Sequence, residues 1–133
     1  MFSPARRVVV KARVVRHQGQ RFRSAPLSAH LSYLKREGVS RDGERGVMFD
    51  AASDRADDRA FAERCEDDRH HFRFIVSPED GGEMTDLKAF TRDLARQIGA
   101  DLGTRLDWVA VDHWNTNNPH VHLLVRGVDE TGA

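Results

Sequence analysis

The sequence predicts an α+β domain in which helices pack on an antiparallel sheet of four or five strands. Two β-rich apolar segments near the C-terminus are joined by a short polar connection, and an amphipathic helical segment precedes them. Neither a repeat nor a linker divides the 133 residues, a length that suits one domain with a single modest core. We therefore expect residues 1–133 to form one domain. The lack of a helix after the last predicted strand suggests the N-terminal part of a longer protein.

The N-terminal segments are predicted to form a strand and then a helix. Five of the eight residues from Val8 to Val15 are β-branched valines, which predicts a strand over residues 7–15. Apolar residues at helical spacing follow Pro26, and Gly38 comes after the last of them. These positions predict a helix over residues 27–37, followed by a loop over residues 38–52.

The middle of the chain is predicted to contain an acidic helix and a second strand. Ser53 is expected to cap a helix within residues 53–68. In residues 70–76, alternation places Phe72, Phe74 and Val76 on one side of a strand, and Pro78–Gly82 form a turn.

A third helix and two strands complete the prediction. Thr85 is the expected N-cap, and Gly103 is the expected stop. The apolar stripe of this helix is predicted to comprise Leu87, Phe90, Leu94, Ile98 and Leu102. The segments Leu106–Val111 and Val121–Val128 are predicted as strands on either side of a polar connection.

The charges are unevenly distributed although the formal net charge is zero. Residues 1–41 contain ten Lys or Arg residues and one acidic residue, a net charge of +9, so residues 42–133 carry −9. A basic arm of this density suits a phosphate backbone. The alternative is a solvated face, or a face that pairs with the acidic part of the chain.

Membrane and secreted classes are disfavoured by the sequence. No apolar run is long enough to cross a bilayer, and Lys11 and Arg13 interrupt the apolar N-terminus, unlike a secretory signal. Cys65 is the only cysteine and has no partner for an internal disulfide, which fits a reducing compartment. We therefore expect a cytoplasmic protein without a membrane segment.

Three histidines near the C-terminus have the spacing of metal ligands. His120 and His122 are two residues apart in a predicted strand, so both imidazoles face the same side. His113 lies at the end of the preceding strand, where an antiparallel neighbour would bring it beside the pair. Three neutral imidazoles suit a divalent ion and leave positions for substrate. The alternative is a set of surface or core histidines without metal.

Tyr33 is the only tyrosine of the chain. It falls at the edge of the apolar stripe of the first predicted helix, next to His30, where it is expected to be half buried. A phenol with a pKa near 10 needs activation to act as a nucleophile. Structural packing is the alternative role.

Two other classes of histidine enzyme do not fit. Histidine-triad nucleotide hydrolases need a third alternating histidine, and position 124 is a leucine. Two-histidine phosphoesterases need two His-x-Thr or His-x-Ser motifs, and the sequence has only one, His30-Leu31-Ser32.

These residues together resemble relaxases of the HUH endonuclease superfamily, the mobilization nucleases that start conjugative plasmid transfer. The segment His120-Val121-His122 fits the His-hydrophobic-His signature, and the stretch from His113 to His122 is similar to the third motif of the mobilization and T-DNA-type relaxases. Ser32-Tyr33-Leu34 is similar to their first motif, and the tyrosine precedes the histidines, as in relaxases. Asn115 departs from that pattern, which commonly has an aspartate there.

The resemblance implies an HUH-type fold and a metal-dependent, site- and strand-specific nickase that acts at a transfer origin. Tyr33 would attack the scissile phosphate and form a 5′-phosphotyrosine, while His113, His120 and His122 would bind Mg²⁺ or Mn²⁺. By affinity order, Zn²⁺ or Ni²⁺ also suits three imidazoles. His30 and Asp112 are candidate general bases.

The implied partners are single-stranded DNA and accessory relaxosome proteins. Phe22 or Trp114 would stack on a base, with core packing as the alternative for both. The predicted DNA-binding residues are Arg6, Arg7, Lys11, Arg13, Arg16, Arg21, Arg23, Lys35 and Arg36. Two rival functions remain: another histidine-ligated metal hydrolase, in which Tyr33 is structural, and a DNA-binding module without activity.

Overall fold

The computed structural model describes residues 8–16, 24–37, 46–66, 68, 70–78, 86–114 and 119–129. The elements in chain order are β1 (Val8–Arg16), α1 (Ser24–Glu37), α2 (Asp58–Arg64), β2 (His70–Pro78), α3 (Leu87–Leu102), β3 (Leu106–His113) and β4 (His120–Asp129). The strands form one antiparallel sheet in the order β1-β2-β4-β3. The predicted α+β class with an antiparallel sheet is therefore confirmed.

Alternation along β3 and β4 divides the core between the two faces of the sheet. Val109, Val111 and Leu124 lie on one face and pack with α1 and α2. We call this the first face. Ala110 and Leu123 lie on the second face and pack with residues of α3. Each helix layer thus buries its apolar side against a different face of the same sheet.

The first two elements begin close to the predicted positions. β1 pairs with β2 along its whole length, from Val8 opposite Pro78 to Arg16 opposite His70. α1 begins at Ser24, three residues before the predicted start. Pro26 therefore falls in the first turn, where the missing N–H breaks no helical hydrogen bond.

The predicted N-caps of the second and third helices were wrong. Asp57 caps α2, and its side chain accepts a hydrogen bond from the Ala60 N–H at 2.9 Å. Ser53 instead lies in a turn in which its own N–H donates to Asp50 Oδ1 at 2.8 Å. Asp86 caps α3 by accepting from the Ala89 N–H at 3.0 Å.

The buried side of α3 also differs from the predicted stripe. Leu102 is 67% exposed, whereas Leu87, Phe90, Thr91, Ala95 and Gly99 are buried. A Cβ atom on Gly99 would lie 2.6 Å from the Thr104 carbonyl oxygen, so the end of the helix approaches the following backbone closely. Small residues therefore take the buried positions in its last turns. Gly103 ends the helix as predicted, with a φ of 75°.

The segment predicted as a loop over residues 38–52 contributes to the core. Phe49 is fully buried and forms an antiparallel bridge with Ala110, through hydrogen bonds of 2.8 and 2.9 Å. This bridge covers the otherwise open edge of β3. Pro78 of the predicted turn is the last residue of β2, and residues 79–82 lie outside the described residues.

Candidate active site

The pairing of β3 with β4 brings three histidines together on the first face. His113, the last residue of β3, is paired with His120, the first residue of β4. His122 follows two residues later on the same face, opposite Val111 in β3 and Ile75 in β2. The end of β3 and the start of β4 thus supply all three imidazoles.

The three imidazoles are close enough to share one ion. Their ring centroids are 4.6 to 5.1 Å apart. One nitrogen from each of His113, His120 and His122 lies within 4.8 Å of the others. Imidazole nitrogens bind divalent first-row metals, and three of them leave coordination positions open. Both the spacing and the donor set therefore fit one divalent cation.

Burial keeps His122 neutral. Desolvation, followed by charge interactions with His113, His120 and His30, lowers its pKa to about 3. A neutral imidazole offers a lone pair, so His122 can bind a metal at neutral pH without first losing a proton.

Asp112 and Trp114 lie on the other side of β3 from the histidines. The Trp114 Nε1–H donates to Asp112 Oδ2 at 2.7 Å, and the indole packs against the core of the second face. Core packing is therefore the role that the structure gives Trp114, and Asp112 faces away from the histidines. Asn115 and Phe22 lie outside the described residues.

Helix α1 carries Tyr33 over the first face. Its stripe of Leu27, Leu31 and Leu34 is buried there, which fixes the orientation of the helix. Tyr33 and His30 are about 60° apart around the helix axis, and the Tyr33 side chain is 51% exposed. Among the described residues, no hydrogen bond joins Tyr33 to the three histidines.

A cleft of about 220 Å³ lies beside the histidines and beneath α1. Its polar lining comes from Lys11, Arg13, His30, Arg73 and His122. Burial, together with the smaller effect of the nearby charges of Arg73 and Arg13, lowers the pKa of His30 to about 4. The cleft therefore joins one predicted metal ligand to a strongly cationic part of the sheet.

The predicted DNA-binding residues have different surroundings. Lys11 and Arg13 line the cleft, and Arg36 is exposed on α1. The Lys35 ammonium lies 3.0 Å from Asp58 Oδ2, so α2 supplies it with an acidic partner. Four arginines and the side chain of a fifth lie outside the described residues: Arg6, Arg7, Arg21, Arg23 and Arg16.

Sequence reasoning missed Arg73 as a cleft residue. The alternation of β2 could have placed it opposite to Phe72 and Phe74, but not beside Arg13, because the order of the strands is not visible in the sequence.

Comparison with protein families gives a match over most of the chain. The model described as "Relaxase: MobA/VirD2-like, nuclease domain" matches residues 35–133. This range includes His113, His120 and His122 and begins two residues after Tyr33. Searches of curated proteins and of solved structures gave no match. Within the described residues, no helix has the length and apolar character to span a membrane.

Proposed function

The chain belongs to the relaxase family with a MobA/VirD2-like nuclease domain. On this premise we propose that residues 1–133 form one domain that nicks single-stranded DNA at a transfer origin. The proposed reaction is a metal-dependent transesterification. The observation that carries this proposal is the histidine cluster within the matched region, which opens into a cationic cleft. A cytoplasmic location and accessory relaxosome partners belong to the same proposal.

His113, His120 and His122 are the proposed ligands of a divalent cation. Their nitrogens lie within 4.8 Å of one another, and burial keeps His122 neutral. Mg²⁺ or Mn²⁺ is the expected ion, while Zn²⁺ or Ni²⁺ also suits the imidazole donors. When bound, such an ion polarises a phosphate oxygen and stabilises the charge that develops during phosphoryl transfer.

Tyr33 is the proposed nucleophile. Its oxygen forms a bond to the scissile phosphorus as the bond from phosphorus to the 3′ oxygen breaks, leaving a 5′-phosphotyrosine and a free 3′-hydroxyl. Reversal rejoins the strand, because one phosphodiester replaces another. The position of Tyr33 on α1, with its side chain half exposed beside the cleft residue His30, supports this role. Of the two candidate bases, Asp112 faces the second side of the sheet and His30 faces the cleft.

Basic side chains are proposed to hold the DNA. Lys11 and Arg13 line the cleft, where they can contact the backbone of the strand that leads to the histidines. Arg6, Arg7, Arg16, Arg21, Arg23 and Arg36 would extend this contact. Lys35 would have to exchange its ion pair with Asp58 for a phosphate.

A covalent-adduct assay tests the proposal. The protein is mixed with Mn²⁺ and single-stranded oligonucleotides that tile the transfer origin of the source element, then run on a denaturing gel. We expect a shifted band that requires metal and disappears in Tyr33→Phe and in His122→Ala. Metal-dependent cleavage that persists in Tyr33→Phe would identify a different histidine-ligated hydrolase. Metal-independent binding without cleavage would identify a DNA-binding module.

A further inference from the structure

Two arginines face each other across the strands that form the floor of the cleft. Arg13 of β1 and Arg73 of β2 are directly opposed in the antiparallel ladder, so both side chains emerge on the first face. Both line the cleft that also contains His122. Like charges that are directly opposed in a sheet destabilise it, unless an anion lies between them.

Three other arginines of the described residues have carboxylate partners. Arg64 binds Asp107 at 2.7 and 2.8 Å, Arg126 binds Asp68 at 2.9 Å, and Arg92 binds Asp54 at 2.7 Å. The described residues contain no carboxylate in ion-pair contact with Arg13 or Arg73, and none lines the cleft. This concentration of cationic groups in a partly buried cleft fits an anion-binding site.

Arg73 is oriented by a buried neighbour on the same strand. Its Nε–H donates to His71 Nε2 at 3.1 Å, and His71 is only 2% exposed. Burial and the charge of Arg13 both lower the pKa of Arg73, so a bound anion would offset both effects. No hydrogen bond within the described part of the chain uses the two terminal nitrogens of this guanidinium, which suit a bidentate contact.

We infer that Arg73 and Arg13, with His30 above them on α1, bind one phosphodiester of the DNA strand next to the phosphate that is cut. This subsite rests on the proposed nicking function and adds a defined backbone contact to it. The apolar remainder of the lining, including Leu34 and Ile75, offers no hydrogen bonds to a base, so the subsite recognises the backbone. Arg73 acts as a positioning residue, because anchoring a flanking phosphate fixes the strand relative to the histidines.

Salt-dependent binding tests the subsite. We would measure binding of fluorescein-labelled dT20 by anisotropy between 50 and 200 mM NaCl for wild type, Arg73→Gln, Arg73→Lys and Arg59→Gln. Complete loss of one phosphate contact lowers the magnitude of the log–log salt slope by about 0.7 and the affinity at 0.1 M salt about fivefold. Because Arg13 remains, Arg73→Gln should lower both, by up to these amounts. Arg73→Lys should retain the slope but bind more weakly, because a lysine lacks the bidentate fork.

Arg59→Gln is the matched control, because it removes the same charge from an exposed position of α2. Its slope should equal that of wild type. Arg13→Gln, at an exposed position of β1, provides a second variant should Arg73→Gln fail to fold. Equal slopes for Arg73→Gln and Arg59→Gln, with unchanged unfolding temperatures, would overturn the subsite.

Neutral phosphate analogues locate the contact. One methylphosphonate at a time is placed along an origin oligonucleotide, and its binding to the Tyr33→Phe variant is measured. We expect weaker binding when the methylphosphonate replaces one linkage next to the cut site. This loss should be absent in the double variant Tyr33→Phe/Arg73→Gln. If each methylphosphonate lowers the affinity equally with and without Arg73→Gln, the subsite is overturned. The nicking function would still stand if wild type forms the adduct. Wild type that neither binds dT20 nor forms the adduct would refute the proposed function and the subsite together.

Discussion

The thiol of Cys65 is fully buried in the core beneath α1 and α2. Burial, with a smaller effect of the charge of Asp68, raises its pKa to about 12. At pH 8 only about one thiol in ten thousand is ionised at such a pKa. Cys65 should therefore not react with iodoacetamide in the native protein and should react within minutes in urea. Rapid labelling of the native protein at pH 8 would contradict this burial.

The proposed metal centre makes a prediction for single histidines. His122→Ala removes one of the three proposed ligands and should weaken Mn²⁺ binding by more than about tenfold in calorimetry. His70→Ala is the matched control, because His70 lies in the same sheet but contacts Phe72, which packs against the second-face core. Equal Mn²⁺ affinities for the two variants would argue against the histidine cluster as the binding site.

At the scale of elements, an ionic network joins α2 to the sheet. Arg126 of β4 donates to both oxygens of Asp68 at 2.9 Å and to Asp107 of β3 at 3.2 Å, and Asp107 also accepts from Arg64 of α2. The Arg126 and Asp68 side chains are only 13% and 5% exposed. Removing one partner of such a buried pair leaves a charge without compensation.

Asp68→Asn should therefore lower the free energy of unfolding by about 3 kcal/mol in urea denaturation. Asp54→Asn provides the control, because Asp54 pairs with Arg92 but its side chain is 69% exposed. That exposed pair should contribute less than about 1 kcal/mol. Comparable losses in the two variants would show that burial does not decide the strength of these pairs.

The same network predicts how stability changes with acid. Burial alone would raise the pKa of Asp107, but the hydrogen bonds from Arg64 and Arg126 together lower it below 3.8. A depressed native pKa contributes stability that is present above the unfolded value and lost as the pH falls through the native value. Below pH 4 the wild-type free energy of unfolding should fall more steeply than that of Asp107→Asn. If the free energies of unfolding of wild type and Asp107→Asn had the same pH dependence, the lowered pKa of Asp107 would be contradicted.

The features that were predicted correctly depend on short stretches of sequence, whereas the incorrectly predicted core residue Phe49 depends on pairing between distant segments. The alternation of β2 and the positive-φ glycine after α3 are short-range features, so both were predicted correctly. Phe49 entered the core because its backbone pairs with β3, sixty-one positions along the chain at Ala110. The N-cap of α2 was misplaced because Ser53 and Asp57 are both suitable capping residues, and the sequence alone does not decide between them.

At the scale of the whole molecule, the two faces of the sheet have separate roles. The second face packs against α3 around Ala110 and Leu123, whereas the first face combines a core with the histidine cluster and the cleft. The spacing of the three histidines was sufficient to predict their convergence, because alternation and antiparallel pairing follow from the sequence. The opposition of Arg13 to Arg73 was not predictable, since it depends on which strands are neighbours.

The proposed nicking mechanism depends on Tyr33, which lies just before the region that the family model matches. The relaxase match begins at residue 35, so the role of Tyr33 depends on its place on α1 and on its position before the histidines. Tyr33 is the only tyrosine of the chain, so a phosphotyrosine bond has one possible location in this sequence.

Peptide mapping of the covalent adduct tests this claim most directly. The protein would react with an origin oligonucleotide and Mn²⁺, be digested with nuclease and trypsin, and be sequenced by mass spectrometry. We predict a 5′-linked nucleotide on the peptide that contains Tyr33, and none when metal is chelated. A nucleotide attached to any other residue, or DNA cleavage without an attached nucleotide, would contradict the tyrosine mechanism.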